Sequence, residues 1–276
     1  MTTVRLPSVS GMFYPGDPVL LRKDVETYLK GAEVEPISGR VHAIISPHAG
    51  YVYSGQVAAF AYKAVYGLEV DSVIVIAPSH RAYFEGVALW ETGSFRTPLG
   101  DIGIDERGAR EILETSDVFA ANRDVHRSEH SLEVQLPFLQ CVFKDLLLLP
   151  LLMGAATEEL YEKASDALRE MISASPLRYL IVASTDLSHY HPYGSAVKID
   201  AVTVEHLRNF DIAAMIRDTR SEKAQACGAG PMITAMLTAR KLGAGAGRVL
   251  KYANSGDVSG DRSGVVGYVS AVFFEE

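Results

Sequence analysis

Cysteine is scarce. Two occur in 276 residues, Cys141 and Cys227, which excludes a disulfide-built secreted scaffold and leaves room for one bridge at most. Long apolar runs are absent as well: the longest, Leu146–Met153, is too short to span a bilayer and contains Pro150. Positive charge is in deficit, with 26 Lys and Arg against 34 Asp and Glu and a net charge of −8. Polyanion binders show a basic face, and no such cluster of Lys and Arg stands out, so neither nucleic acid nor an anionic membrane is an expected partner. The opening residues lack a basic segment followed by an apolar stretch; no signal peptide is expected and the cytoplasm is the default location. Three catalytic signatures are missing too. There is no His-Glu-x-x-His of a zincin and no Gly-x-Ser-x-Gly elbow, and the glycine-rich Cys227–Gly230 lacks the spacing of a dinucleotide or Walker loop.

What is present is alternation. Short β-branched or leucine-rich runs at Val41–Ser46, Ser72–Ala77, Leu146–Met153, Tyr179–Ser184, Val249–Ala253 and Val265–Phe274 read as strands, with shorter candidates at Val87–Glu91 and Asp101–Ile104. Between them lie amphipathic stretches that read as helices: Pro18–Leu29, Gly55–Val65, Glu106–Thr115, Leu132–Phe143, Thr157–Ala174, Ala196–Phe210, Ile212–Asp218 and Gly230–Lys241. Several of the strands are apolar on both faces. The expected fold is therefore α/β, a mostly parallel or mixed central sheet with helices on both faces. With no repeat, low-complexity block or long linker, residues 1–276 read as a single domain. The segment Ser255–Asp261, between the last two strands, reads as a mobile lid.

Three of the strands lead into a histidine. Val41–Ser46 runs into Pro47-His48-Ala49-Gly50-Tyr51, Ser72–Ala77 into Pro78-Ser79-His80, and Tyr179–Ser184 into Thr185-Asp186-Leu187-Ser188-His189. Loops at the carboxyl ends of parallel strands converge on one crevice, where ligands bind. Imidazole is the commonest metal ligand and the commonest acid/base near neutral pH, so the crevice is expected to bind a metal or move protons. Taken singly, His48 has a plainer reading as a solvated turn histidine. Asp186 reads either as the carboxylate orienting His189, three residues on, or as a helix N-cap. His130 and Glu133, in Ser128-Glu129-His130-Ser131-Leu132-Glu133, read as crevice residues or as a helix-capping signature. Cys227 precedes Gly228-Ala229-Gly230-Pro231, where a helix begins; that setting favours a thiolate, the alternative being a small buried side chain. Cys141 fits the buried alternative. His191, followed by Pro192-Tyr193, reads as a loop histidine without a role.

With these residues in view, the chain resembles the Memo family nearly end to end. The resemblance rests on Ser10-Gly11-Met12-Phe13-Tyr14-Pro15, Pro47-His48-Ala49-Gly50-Tyr51, Pro78-Ser79-His80 and Glu129-His130-Ser131-Leu132-Glu133. It continues through Ser184-Thr185-Asp186-Leu187-Ser188-His189-Tyr190, Cys227-Gly228, Asn254-Ser255-Gly256-Asp257 and Val266-Gly267-Tyr268. That family's fold is similar to the class III extradiol dioxygenases, which are non-haem iron enzymes. The resemblance implies a pocket metal at His48, His80 and Cys227, with Asp186 and His189 beside it. His189, Asp186 and His130 are the implied catalytic residues, and Tyr51, Ser79 and Glu133 line the substrate pocket. Where the dioxygenases use a carboxylate as third ligand, this chain has Cys227. Thiolate is softer and moves the preference toward copper(I), zinc or a differently tuned iron.

Two functions follow as expectations. One is a metal-dependent redox protein, with non-haem iron or copper as cofactor ahead of zinc, acting on a small molecule. The other uses the same pocket without turnover, to bind a peptide or sequester a metal; eukaryotic relatives are associated with signalling and phosphotyrosine-peptide binding. Prokaryotic relatives are discussed alongside AMMECR1-type and radical SAM proteins, which makes those the expected pathway partners.

Overall fold

Val73, Val75 and Ala77 pack into one hydrophobic cluster, and Ile74 and Ile76, alternating with them, pack into a second. A strand whose side chains point alternately to two faces, both apolar, must be covered on both sides. In a computed structural model describing residues 3–276, it is. The strands in chain order are β1 (Val4–Arg5), β2 (Val41–Ser46), β3 (Ser72–Pro78), β4 (Val87–Leu89), β5 (Ser94–Thr97) and β6 (Gly100–Ile104). They continue with β7 (Phe119–Ala121), β8 (Leu147–Met153), β9 (Tyr179–Ser184), β10 (His189–His191), β11 (Ala246–Asn254) and β12 (Val265–Phe274). They form one mixed sheet with the order β1-β5-β6-β8-β3-β9-β2-β12-β10, while β11 pairs with β12 and β4 pairs with β7 and β8.

The centre of the sheet, β6-β8-β3-β9-β2, is parallel throughout. Antiparallel pairs flank it: β5 with β6, β4 with β8, and β12 with β2, β10 and β11. On one face, Leu21, Val25 and Leu29 of helix Pro18–Lys30 pack with Ala58, Ala61 and Tyr62 of helix Tyr51–Ala64 and with Phe138. On the other face, Leu168 and Met171 of helix Glu158–Ala174 pack with Met232, Ile233 and Met236 of helix Ala229–Lys241. Among the described residues no helix is long and apolar enough to cross a membrane.

Two expected elements differ. The helix expected over Leu132–Phe143 is a 3-10 turn, Glu133–Gln135, followed by a short helix, Leu136–Val142, that has proline in its first turn. Tying the carbonyls of Val134 and Gln135 to the Tyr51 and Tyr62 hydroxyls draws this stretch out of regular α geometry. The segment expected as a lid carries a one-turn helix, Gly256–Ser259. It is held by Asp257, which accepts from the Asn254 backbone N–H at 2.9 Å and from the Tyr193 hydroxyl at 2.8 Å.

Candidate metal centre

Because β3, β9 and β2 are neighbours running in one direction, the chain leaves all three at the same edge of the sheet. Ser46 is in register with Ser184, which sets the loops carrying His48 and Asp186 side by side. From across the edge comes the segment Glu129–Ser131, anchored by the Ser131 hydroxyl donating to the Pro78 carbonyl at 2.6 Å. His48, His80 and His130 meet there. One ring nitrogen of each lies within 4.8 Å of the others, and the ring centroids are 4.9–5.7 Å apart.

The orientation of His48 follows from a chain of hydrogen bonds. Its Nδ1 is 2.8 Å from the Ser184 hydroxyl, which gives its own proton to the Ser131 carbonyl at 2.7 Å and accepts from the Gln135 amide at 2.8 Å. A hydroxyl has one proton to give, so His48 carries its hydrogen on Nδ1 and leaves the Nε2 lone pair facing the cluster. His48 is 2% exposed; burial, followed by its histidine neighbours, holds its pKa well below the usual histidine value, which keeps the ring neutral and ligand-ready.

Glu129 organises the other two rings. Its Oε1 lies 3.2 Å from His80 Nδ1 and 3.1 Å from His130 Nδ1. The same carboxylate accepts from four backbone N–H groups, those of His80 (2.6 Å), Arg81 (3.2 Å), His130 (2.8 Å) and Ser131 (3.0 Å). Burial pulls its pKa upward, but the adjoining His130 and His80 rings and these amides outweigh it and hold the carboxyl far below the usual range. Glu129 is thus a buried negative charge beside three imidazoles, with the Nε2 edges of His80 and His130 left open. The contact to His130 Nδ1 is badly aligned, so that buried nitrogen has no directed partner. Open ring nitrogens on three clustered imidazoles, with a buried carboxylate behind two of them, suit a cation between the rings.

Cys227 sits at the border of the cluster. Its Sγ is 3.2 Å from His48 Nε2 and accepts the Asp186 backbone N–H at 3.3 Å. It is delivered by the start of helix Ala229–Lys241, where Gly228 lies so close to β9 that a Cβ would stand 2.3 Å from the Ser184 carbonyl oxygen. The thiolate expected from the helix start is not favoured here: burial, with Asp186 nearby, pushes the thiol pKa up, so it stands as a neutral S–H beside His48.

The other expected site residues fall in different places. The Asp186–His189 pair does not form. The segment is extended, and His189 pairs with Val266 of β12, so side chains three apart do not share a face as they would in a helical turn. His189 Nδ1 instead lies 2.8 Å from the Leu187 carbonyl, while Asp186 Oδ1 accepts the His48 backbone N–H at 2.8 Å. Burial raises the Asp186 pKa to about 6 and lowers that of His189. Tyr51 is buried and its hydroxyl donates to the Val134 carbonyl at 2.8 Å, which turns it from the crevice. Glu133 is fully buried and spent on the N-terminal segment: it pairs with Arg5, accepts the Ser8 and Val9 backbone N–H groups at 2.7 and 3.0 Å, and accepts the Tyr14 hydroxyl at 2.5 Å. Ser79 lines a cavity of about 350 Å³ that also reaches Cys227. His191 pairs with Gln225 at 3.0 Å.

Glu129, Ser184 and Gln135 were not anticipated. The only sequence signal for Glu129 is its place directly before His130; Ser184 and Gln135 become visible as ligand-orienting groups only once β2 and β9 are in register.

Comparison with known proteins gives the chain a family and a fold. The family profile described as Memo-like protein matches residues 5–272. A MEMO1 family protein of Methanosarcina mazei is 40% identical over 271 residues, covering 98% of each chain, and one of Sulfolobus acidocaldarius is 34% identical over 285 residues, covering 98% of this chain and 99% of the other. An uncharacterized protein of Escherichia coli K12, known from a crystal structure, shares the fold at a TM-score of 0.55 with 12% identity, covering 84% of this chain and 99% of that one. By the extent of these matches, the chain belongs to the Memo-like protein family.

Proposed function

We propose that this is a metal-dependent redox protein whose crevice holds a single iron or copper ion. His48, His80 and His130 would hold it through their ring nitrogens, with Cys227 as the fourth donor. The observation that carries this reading is the convergence of three ring nitrogens within 4.8 Å of one another, with Nδ1 of His48 bound to Ser184 and those of His80 and His130 beside one buried carboxylate. Ring nitrogens fixed from behind are how proteins orient metal-bound histidines. Imidazole with thiolate suits copper, iron and zinc, and bound iron or copper supplies one-electron chemistry that zinc does not.

The protein's own groups divide the remaining work. Glu129 would supply the negative charge that offsets the cation, and it fixes the His80 ring. Asp186 positions His48 by holding its backbone N–H, and does not orient His189. His189, with Nδ1 turned to the Leu187 carbonyl, keeps Nε2 for a proton, and burial favours its neutral, proton-accepting form. A metal held by Cys227 would displace the thiol proton, so uptake would be accompanied by proton release.

The test is to load the anaerobically purified protein with iron(II) or copper(I) and follow oxygen consumption and metal oxidation state with a panel of small reductants. Turnover that falls at least tenfold in His189→Gln while the metal stays bound is the expected result. Stoichiometric metal with no redox turnover for any compound contradicts the redox reading and favours sequestration or peptide binding in the same crevice.

A further inference from the structure

We propose that Asp200, rather than Asp186, is the carboxylate that positions His189: it fixes the backbone that aims the ring and places a negative charge near it for the proton the ring takes up. This rests on the metal-centre reading only in giving His189 a proton to accept; the coupling of the two groups is a property of the metal-free chain. The first observation is an acid where its helix has no use for one. Helix Tyr193–Arg208 buries Ala196, Asp200, Thr203 and Leu207, the spacing of a single inward stripe. Asp200 lies within that stripe and is fully buried, and the groups that bond to its carboxylate are neutral. An apolar side chain would serve the packing better, since an ionised carboxyl loses its hydration there. The opposing strand β12 makes room for it: a Cβ at Gly267 would stand 2.0 Å from Asp200 Oδ2.

The second observation is what the carboxylate holds. Its Oδ1 accepts the Ser188 backbone N–H at 2.9 Å, and its Oδ2 accepts the Tyr252 hydroxyl at 2.8 Å. Ser188 directly precedes His189. Its carbonyl accepts the Gly267 N–H at 3.0 Å, and the Leu187 N–H donates to the Gly267 carbonyl at 2.8 Å. The Leu187 carbonyl in turn lies 2.8 Å from His189 Nδ1. The ring is therefore oriented by a short peptide segment held twice over, by β12 and by Asp200. Directly after it the backbone is strained: Tyr190 has φ 61°, where the ladder between β10 and β12 shifts register. A residue with a side chain keeps that conformation only where its surroundings impose it, and such strain gathers at functional sites.

The third is electrostatic. Burial lowers the pKa of His189; the Leu187 carbonyl raises it, His80 from the loop after β3 lowers it, and Asp200 raises it. Burial raises the pKa of Asp200 itself, and the Ser188 N–H and the Tyr252 hydroxyl draw it back toward ionisation. When His189 accepts a proton, the charge that forms is thus favoured by Asp200 and opposed by His80. Asp186, with Oδ1 given to the His48 backbone N–H, is committed elsewhere.

The test follows the His189 ring by nitrogen-15 NMR in the metal-free full chain, its signals assigned by their loss in His189→Gln. In the unsubstituted protein the neutral ring is expected to carry its hydrogen on Nδ1. Asp200→Asn keeps the shape and an acceptor for Ser188 but removes the charge, and is expected to lower the proton-binding constant of His189 by about threefold or more. Asp200→Ala leaves the Ser188 N–H without an acceptor and is expected to replace the single ring tautomer with a mixture. Where the alanine variant does not fold, Asp200→Asn alone decides. A purely structural Asp200 would lower the unfolding temperature yet leave the proton-binding constant of the folded protein unchanged in Asp200→Asn, and that result would overturn the proposal. So would a His189 that responds to Asp186→Asn and not to Asp200→Asn. A chain that takes up no iron or copper would sink the metal reading and leave this coupling standing.

Discussion

At the scale of single residues, two buried glutamates four positions apart do opposite jobs. Glu133 lies on the spacing that signals a helix cap, yet it closes an ion pair with Arg5 and ties down the N-terminal segment. Glu129, which no spacing marks, holds the His80 ring and the backbone N–H of His130. Substitution separates them. Glu129→Gln is expected to weaken metal affinity by about 10- to 100-fold in chelator competition, the usual consequence of losing a group that orients metal-bound histidines. Glu133→Gln leaves Arg5 buried without its charge partner and is expected to cost about 3 kcal/mol in denaturant unfolding, with metal affinity of the folded protein unchanged. His48 and His80 were legible because each follows an apolar strand and a proline. Glu129 was not, because its partners are backbone amides and rings brought together by tertiary structure, which leave no trace in sequence spacing.

At the scale of elements, the central strands were legible because burial on both faces writes an unbroken apolar run, and their ends lie within a residue or two of those expected. The small edge strands β1, β7 and β10 were not, since two or three residues carry no periodicity. The pairing of β10 with β12 is also what separates Asp186 from His189, so a local misreading became an error about the site. The junction between β9 and helix Ala229–Lys241 is close-packed, and only glycine fits at Gly228. A methyl group there meets the Ser184 carbonyl of a buried strand, which cannot yield as a flexible side chain would. Gly228→Ala is expected to destabilise the fold by at least about 2 kcal/mol, in the upper range for overpacking, and to lower metal affinity by moving Cys227 and Ser184. A variant with unchanged thermal unfolding would show that the junction is looser than this.

At the scale of the whole molecule, acid should unfold the protein through groups buried in one protonation state. His126 is 1% exposed, its Nε2 lies 3.1 Å from the Ala88 carbonyl, and burial lowers its pKa from 6.5 to about 3. The unfolded chain protonates below pH 6.5 while the fold keeps the ring neutral, so stability from His126 is complete above 6.5 and is lost as pH falls toward 3. The loss is expected at up to about 1.4 kcal/mol per pH unit, and His126→Asn should flatten that limb of the stability curve. Glu129 acts in the same direction lower down: its depressed carboxyl stabilises above the ordinary carboxylate range and is lost as pH drops through its folded value. Fold class was legible across the whole chain because strand and helix patterns alternate throughout; the gathering of three distant loops at one sheet edge was inferred from that alternation, and their donor atoms needed the structure. The most direct measurement is therefore the metal-to-protein ratio after anaerobic loading with iron(II) or copper(I), for the full chain and for His48→Ala, His80→Ala and His130→Ala. One metal ion per chain, lost in each variant while the fold is retained, is the expected result; no tightly bound metal, or a ratio unaltered by all three substitutions, would contradict a metal centre in this crevice.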